Sequence, residues 1–357
     1  NSNTLFKTLL GLCLLWVFSC GNQDTYDILI LNGSVYDGKG GDPIVTDIAI
    51  KDSMIVTMGE LDNAKADKII DASRLAVSPG FIDMHTHIEP IMELNSCESH
   101  VRQGVTTSLG GPDGSSPYPL KPYMDSLQQK GVGMNVAYLV GHNTIRRNIM
   151  GLEDRAPTAE ELKAMEAEVD SAMKDGAFGI STGLKYLPGA FSKVDEVISL
   201  SKVASSYGGI YTSHLREEGL GLFDAVAEAI KISEDADIPV VLTHHKAIGK
   251  PMWGKSARTL AMVDSARAKG LDIKMDQYPY AASYTGISVL IPSWARAGGQ
   301  EAFKERVADP VLRDSIKNGI VFNILNDRGG SDLDRVQFAK VEWQPELEGK
   351  TLKYWCE

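Results

Sequence analysis

The chain of 357 residues is long enough for one large domain and one small domain. Its hydrophobic fraction of 43% and charged fraction of 23% are ordinary for a globular protein. The net charge of −11 argues against nucleic acid as a partner and against binding to an anionic lipid surface. Of the four cysteines, Cys13 and Cys20 fall in a leader, so Cys97 and Cys356 cannot support a disulfide framework.

Residues 1–20 are predicted to be an export leader. Lys7 precedes the apolar run Thr8–Phe18, which is too short to span a bilayer but suits the apolar region of a signal peptide. Val17-Phe18-Ser19-Cys20 resembles the lipobox of bacterial lipoproteins, in which the cysteine carries the lipid. Ordinary secretion is the alternative. We therefore expect a protein of the bacterial cell envelope, periplasmic or anchored only through a lipid on Cys20, or a secreted protein.

Residues 21–77 are predicted to form a small β-sandwich module. Ile28–Leu31, Ile48–Ile50 and Met54–Met58 are short apolar runs of the kind that form strands. Asn32-Gly33 and the glycine-rich stretch Asp37–Gly41 mark turns between them.

Residues 78–284 are predicted to form an α/β barrel, because short apolar runs there alternate with helical segments. Seven such units favour a TIM-like (β/α)8 barrel, with its eighth unit missing from this chain, over an open doubly wound sheet. No Gly-x-Gly-x-x-Gly follows the first strand, which argues against dinucleotide binding. The predicted strands are Phe81–Met84, Val105–Leu109, Asn135–Val140, Phe178–Ser181, Ile210–Ser213, Val240–Thr243 and Ile273–Asp276. The predicted helices are Leu120–Gln129, Ala159–Lys174, Val194–Tyr207, Leu222–Ala236 and Ala257–Ala268.

Residues 285–357 are predicted to be an insertion after strand seven that covers the barrel as a lid. A helix is expected near Gln300–Ala308 and a strand near Ile320–Leu325, whereas Val336–Trp355 has no clear period. The start without Met and the abrupt end at Glu357 predict a fragment of a longer protein.

Histidines recur at the ends of the predicted strands. On a strand, His85 and His87 point to the same side, where two imidazoles can bind one metal ion. His214 ends strand five and His244 ends strand six, and in a barrel these strand ends share the face that carries the active site. The four positions together predict a metal centre.

Four other residues leave alternatives open. Asp113, in the loop after strand two, is either a metal ligand or an ordinary turn residue. His142 follows strand three on the same face but has no obvious partner in the sequence. His245 is expected to point away from His244 and to pack structurally, and His100 is expected to be a surface or packing residue.

These residues lie in motifs that resemble the amidohydrolase superfamily, and within it the N-acyl-D-amino-acid deacylases (D-aminoacylases). The matching stretches are Pro79–His87, Gly104–Thr107, Gly179–Gly189, Tyr211–Arg216, Thr243–Lys246 and Asp276–Tyr280. The resemblance runs from about Tyr26 to Trp294. It implies a barrel on a small β-sandwich that binds zinc and removes an acyl group from an amino acid.

The resemblance assigns metal-ligand roles to His85, His87, His214 and His244. In the deacylases with known sites, a cysteine after strand two helps to hold the tightly bound zinc, and Asp113 stands at that place here. A carboxylate is a harder ligand than a thiolate but still binds zinc. The resemblance therefore implies one zinc ion bound tightly by Asp113, His214 and His244, with either a weaker second site near His85 and His87 or none.

The resemblance also implies residues that bind the substrate. Lys246 and Tyr278 match residues that hold the substrate carboxylate, and Tyr284 stands where the family often has a small serine. The general base of the family, an aspartate that ends strand eight, is expected beyond Glu357. Some barrel amidohydrolases carry a carboxylated lysine at the end of strand four, but Lys185 lies several residues past Ser181 and is expected to have a loop role.

The function implied is hydrolysis of N-acyl-D-amino acids, small molecules, to a carboxylate and a free D-amino acid by a zinc-dependent hydrolase of linear amides. A cyclic-amide hydrolase of the hydantoinase or dihydroorotase kind is the alternative, which a modified Lys185 between two metals would favour. A non-catalytic binding protein of the envelope is a third reading, which an absent general base would permit. The 357 residues alone are expected to be inactive.

Overall fold

The computed structural model describes residues 25–328 and 330–357. The predicted leader, with its lipid attachment at Cys20, lies outside the described residues. The chain divides into two compact units, with the boundary in sequence between Gly80 and Phe81. Within the described part of the chain, every helix is too short or too polar to cross a membrane.

The first unit contains a single five-stranded sheet. Its strands are β1 (Thr25–Val35), β2 (Ile44–Lys51), β3 (Met54–Gly59), β4 (Lys65–Asp71) and β5 (Ala76–Val77). The order is β3-β2-β1-β4, with β5 also beside β1; β2 is antiparallel to β1 and β3, while β4 and β5 run parallel to β1. The predicted β module is therefore present in residues 25–80 as one sheet, and the second sheet of the sandwich stays a prediction for the full-length protein. Short apolar runs indicate strands, but they do not indicate how many sheets the strands form.

The second unit contains the predicted series of parallel strands. They are β6 (Phe81–Asp83), β7 (Val105–Gly110), β8 (Asn135–Tyr138), β9 (Val140–Gly141), β10 (Gly179–Gly183), β11 (Ile210–His214), β12 (Val240–Leu242) and β13 (Ile273–Met275). They form two sheets, β6-β7-β8 and β13-β12-β11-β10-β9, in which every neighbouring pair is parallel. Leu139 separates β8 from β9, so the third predicted strand is present in two pieces. In residues 81–328 and 330–357, no strand joins β6 to β13 and the barrel is open.

Helices alternate with these strands as the sequence predicts. They are α1 (Glu98–Val101), α2 (Leu120–Lys130), α3 (His142–Met150), α4 (Ala159–Lys174), α5 (Val194–Ser205), α6 (Leu222–Ala236), α7 (Ser256–Ala268), α8 (Gln300–Ala308), α9 (Pro310–Asp327) and α10 (Leu352–Cys356). Short 3₁₀ turns span Glu89–Met92, Gly189–Phe191, Lys250–Met252, Ile287–Leu290, Ser293–Arg296, Leu333–Arg335 and Pro345–Leu347. At the start of α4, Thr158 and Glu161 cap each other, with Glu161 Oε2 accepting from Thr158 N at 2.8 Å and Thr158 Oγ1 accepting from Glu161 N at 3.2 Å.

The strand predicted near Ile320–Leu325 is wrong, because these residues belong to α9. Asp309 Oδ1 accepts hydrogen bonds from the N–H groups of Val311 and Leu312 at 2.8 and 3.0 Å, and Pro310 takes the first helical position. This cap with its proline begins a helix of 18 residues. A short apolar run alone does not distinguish a strand from part of a helix.

The core of the second unit lies between its strands and the helices that follow them. Ile180, Tyr211 and Leu242 of successive strands are buried in one cluster with helical residues such as Leu200 and Val226. This packing fixes the carboxyl ends of β10, β11 and β12 side by side. The loops that leave those ends carry the candidate site.

Candidate metal centre

The Asp113 carboxylate lies at the centre of the candidate site. Its Oδ1 is 3.8 Å from His85 Nε2 and 3.6 Å from His244 Nε2. Its Oδ2 is 3.3 Å from His87 Nε2 and 3.7 Å from His214 Nδ1. The structure therefore brings together all five residues that the sequence analysis proposed as metal ligands.

The loop after β7 holds Asp113 in place through close backbone packing. Gly114 N donates to Ser181 Oγ at 3.1 Å, and Ser181 Oγ donates to Gly111 O at 2.6 Å. Gly114 has φ +79°, and a Cβ there would lie 2.3 Å from Asn143 Oδ1. Only glycine fits this close approach without strain, so the loop is tied to β10 and α3.

The histidines reach Asp113 from three strand ends. His85 and His87 follow β6, with ring centroids 5.5 Å apart; the His85 side chain is 13% exposed and that of His87 57%. His214 is the last residue of β11. His244 lies two residues beyond β12 with φ +38°, and its N–H donates to Asp276 Oδ1 at 2.5 Å. A backbone in this region is uncommon for a residue other than glycine and is characteristic of functional loops.

Glu218 is a buried member of the site that the sequence reasoning missed. Its Oε1 is 3.1 Å from His244 Nδ1 and accepts a hydrogen bond from Lys246 Nζ, while its Oε2 is 4.0 Å from His214 Nε2. Its one signal in the sequence is its position four residues after His214. Asp276 was also missed, and its Oδ2 lies 4.0 Å from His85 Nδ1.

The two most buried carboxylates of the site are held in their charged form. Burial opposes ionisation of Asp113, but the neighbouring imidazoles of His214 and His244 outweigh burial and hold the pKa of Asp113 well below its usual range. Burial likewise opposes the charge of Glu218, but His244 and His214 outweigh it and lower the pKa of Glu218 to about 2. Two buried carboxylates of the site are thus negatively charged and can serve as ligands to a cation.

These carboxylates in turn shift the histidines. Hydrogen bonding to Asp113 raises the pKa of His87 to about 10. Burial opposes the charge of His244, but Asp113 and Glu218 outweigh it and raise the pKa of His244 to about 9. Burial lowers the pKa of His85 to about 4. A cation that binds these imidazoles would displace the protons that the carboxylates favour on His87 and His244.

The imidazole nitrogens and carboxylate oxygens that converge here can act as ligands to a metal ion. Among the described residues, buried His85 Nδ1, Asp113 Oδ1, His214 Nδ1 and Asp276 Oδ2 have no hydrogen-bond partner. Two sets of three ligand atoms lie within 4.8 Å of one another, the first being His85, Asp113 and His244, and the second His214, Glu218 and His244. Imidazole nitrogen and carboxylate oxygen are both ligands that zinc accepts. A bound cation would provide these buried nitrogen and oxygen atoms with the partner that they lack within the protein.

The predicted substrate-binding residues lie beside this cluster. Lys246, Tyr278 and Tyr284 line a cavity of about 770 Å³ that His244 also lines. Lys246 Nζ lies 5.5 Å from the centroid of the Tyr278 ring, and Tyr284 is 81% exposed. Tyr186, which the sequence reasoning did not assign, packs on His214 with ring centroids 4.5 Å apart.

Two other histidines lie in structural contacts. His142 Nε2 is 2.7 Å from Glu196 Oε1 in a fully buried group that also contains Arg146. His245 Nε2 is 2.8 Å from Thr259 Oγ1 of α7, which agrees with the packing role predicted for it.

Lys185 forms ion pairs away from Asp113. Its Nζ donates to Glu217 Oε1 at 2.5 Å and to Asp327 Oδ2 at 3.3 Å. The lysine is therefore engaged with two carboxylates of neighbouring loops, in keeping with the loop role predicted for it.

Histidines that follow parallel strands and converge on one carboxylate are typical of metal-dependent amidohydrolases. No protein-family model matches the chain. An N-acyl-D-glutamate deacylase and a D-aminoacylase of Alcaligenes xylosoxydans xylosoxydans are 37% and 34% identical to it over 296 and 291 residues, or 76% and 75% of this chain. The chain spans 60% of the length of each of these relatives.

Solved structures agree with these sequence matches. The N-acyl-D-glutamate deacylase of Bordetella bronchiseptica, complexed with zinc and a phosphonate inhibitor, is 30% identical with a TM-score of 0.77, over 93% of this chain and 67% of that one. A D-aminoacylase with a binuclear metal centre is 29% identical with a TM-score of 0.76, over 92% and 66%. The chain belongs to the N-acyl-D-amino-acid deacylase (D-aminoacylase) family of the amidohydrolase superfamily.

Proposed function

We propose that the full-length protein containing this chain hydrolyses the amide bond of N-acyl-D-amino acids to a carboxylate and a free D-amino acid. The observation that carries the proposal is the Asp113 carboxylate with four imidazole nitrogens within 4 Å, in a chain 37% identical to an N-acyl-D-glutamate deacylase. Linear amides are the substrate class that this family resemblance supports.

Asp113, His214 and His244 would hold a tightly bound zinc ion, with His85 and His87 beside them. Zinc, when bound, acidifies a water molecule and polarises the amide carbonyl. Glu218 Oε1 lies 3.1 Å from Nδ1 of His244, while Nε2 of that ring faces Asp113. A carboxylate behind a metal-binding histidine fixes its tautomer and its orientation.

Lys246 and Tyr278 would bind the α-carboxylate of the substrate in the adjoining cavity. Two fixed points, the α-carboxylate anchor and the metal cluster, present only one face of the amide to attack and so select one enantiomer. The proton that the water loses would pass to the leaving amine through a general base, which we propose to be an aspartate beyond Glu357.

A cyclic-amide hydrolase would need Lys185 as a modified ligand between two metals. The observed ion pairs of Lys185 with Glu217 and Asp327 favour the linear-amide reaction instead. Similarity to D-hydantoinase, at 16% identity and a TM-score of 0.52, extends only to the fold.

The test uses the zinc-loaded full-length protein with N-acetyl-D-methionine and its L-enantiomer. We expect release of D-methionine and not L-methionine. His214→Ala should lower kcat/KM by more than about 100-fold. Mutating a residue that only orients a metal ligand lowers activity by about 10- to 100-fold, and removing the ligand itself should lower it further. His100→Ala is the matched control, since His100 lies outside the site. Release from the L-substrate alone would contradict the stereochemistry, and zinc binding without turnover would indicate a binding protein.

A further inference from the structure

The cavity beside the metal cluster is rich in positive charge. Its lining includes five basic side chains and one acidic side chain, Asp327, although the chain as a whole carries a net charge of −11. The basic residues are Lys246, Lys250, Arg328, Arg335 and Lys340. A cavity of this charge in an acidic protein concentrates anions.

Three of these cations already have carboxylate partners. Lys246 Nζ donates to Glu218 Oε1. Arg335 Nε lies 3.3 Å from Asp332 Oδ2, and Lys340 Nζ lies 3.0 Å from Glu342 Oε1. The charges of Arg335 and Lys340 are therefore largely balanced within the protein, whereas Lys246 shares the Glu218 carboxylate with His244.

Lys250 and Arg328 differ from them, because no described residue forms an ion pair within 4.0 Å with either side chain. Lys250 is exposed, whereas Arg328 is partly buried. Its Nε is buried without a hydrogen-bond partner, and its Nη1 donates only to the Asp327 carbonyl oxygen, at 3.1 Å. A partly buried guanidinium without an anion is costly, because its remaining donors have lost water without gaining acceptors.

The backbone before Arg328 is held in place by contacts within the second unit. Asp327, the last residue of α9, accepts from Lys185 Nζ at 3.3 Å. Gly249 has φ +75°, and a Cβ there would lie 1.7 Å from the carbonyl oxygen of Asn326. The backbone before Arg328 thus packs directly on the loop that follows β12, which limits the positions that the guanidinium can take.

We propose that Arg328 binds a second carboxylate of the substrate while Lys246 and Tyr278 bind the α-carboxylate, so that the preferred substrates are N-acyl derivatives of acidic amino acids. This inference rests on the proposed function. The planar fork of arginine pairs with a carboxylate through two parallel hydrogen bonds. A substrate with one carboxylate would leave Arg328 buried and unpaired.

The experiment measures binding, so that it does not depend on turnover. Analogues of N-acetyl-D-glutamate and of its neutral isostere N-acetyl-D-glutamine, in which CH2 replaces the amide N–H so that neither can be hydrolysed, are titrated into the zinc-loaded full-length protein in a calorimeter. We expect the glutamate derivative to bind about 10- to 100-fold more tightly, the range for a hydrogen bond to a charged group. Arg328→Gln should abolish this preference, and Arg328→Lys should keep part of it.

Lys340→Gln is the matched control, because Lys340 lines the same cavity but is paired with Glu342. It should change the preference by less than about 3-fold. Equal binding of the two ligands to the unaltered protein, or an equal loss of both in Arg328→Gln, would overturn the inference. Preferential binding of the glutamate analogue by a protein that does not hydrolyse N-acetyl-D-glutamate would contradict the proposed function but support the role of Arg328.

Discussion

Asp113 is the residue on which the candidate metal centre depends. Its backbone lies in the left-handed region with φ +55°, and its side chain is 11% exposed. Such a position is uncommon for a residue other than glycine, although aspartate tolerates it better than most. The loop therefore places a charged carboxylate where the four histidines meet.

Removing the Asp113 carboxylate should remove the metal. We expect Asp113→Ala to lower zinc affinity by more than about 100-fold, because the ring of imidazoles then loses its one central anion. Asp113→Cys should keep the metal, since a thiolate is a good zinc ligand. Zinc content after dialysis, measured by atomic emission, separates these outcomes. Asp334→Ala, on an exposed carboxylate, is the control, and unchanged zinc in Asp113→Ala would refute the assignment.

The sequence predicted the five residues of this ring but not the residues behind it. His85, His87, His214 and His244 follow predicted strands, so topology alone brings them to one face. Glu218 lies in a loop, and its contact with His244 depends on how that loop folds back. No periodic pattern encodes such a contact, which explains why Glu218 was missed.

At the scale of elements, a buried ion pair joins α3 to α5. Glu196 of α5 accepts from His142 Nε2 at 2.7 Å and from Arg146 Nη1, and all three side chains are buried. Burial opposes the charge of Glu196, but His142 and Arg146 outweigh it and lower the pKa of Glu196 below its ordinary value of 4.5. The carboxylate therefore stabilises the fold above about pH 4.5, and this stabilisation is lost as the pH falls through the lowered pKa.

Glu196→Gln tests this pair. We expect the free energy of unfolding at pH 7 to fall by about 3 kcal/mol, because Arg146 is left buried without a carboxylate. The difference between the variant and the unaltered protein should shrink on acidification below the lowered pKa of Glu196. Urea unfolding at several pH values measures both effects, with exposed Glu160→Gln as the control. A loss that does not depend on pH would contradict the ionic origin of the effect.

The contact between α9 and the loop after β12 is open to a paired glycine test. Gly249→Ala places a Cβ against the carbonyl oxygen of Asn326, whereas Gly254→Ala, at the same φ of +75°, meets nothing within 4 Å. Both variants carry the same backbone strain of about 1 kcal/mol. Only Gly249→Ala should speed hydrogen exchange in Pro310–Asp327, and equal exchange in the two variants would contradict the packing of α9.

Periodic and capped elements were the most predictable. Ala159–Lys174 and Leu222–Ala236 have the predicted bounds, the first because Thr158 and Glu161 give an unambiguous start. The failure at Ile320–Leu325 has an equally local cause, since Asp309-Pro310 begins a helix ten residues earlier. The number of sheets in the first unit could not be predicted, because it depends on contacts between segments distant in sequence.

At the scale of the whole molecule, the chain spans 60% of the length of the curated relatives described above. The described part contains the residues proposed for metal and substrate, and the general base remains a proposal for the full-length protein. The proposed hydrolysis requires a metal centre on Asp113 and the four histidines.

Anomalous diffraction at the zinc absorption edge, from crystals of the zinc-loaded full-length protein, tests for that metal centre most directly. We predict a peak about 2.0–2.2 Å from an Asp113 oxygen and from nitrogens of His214 and His244. Crystals of the Asp113→Ala variant should lack it. A protein that binds zinc with no peak among these five residues would contradict the account.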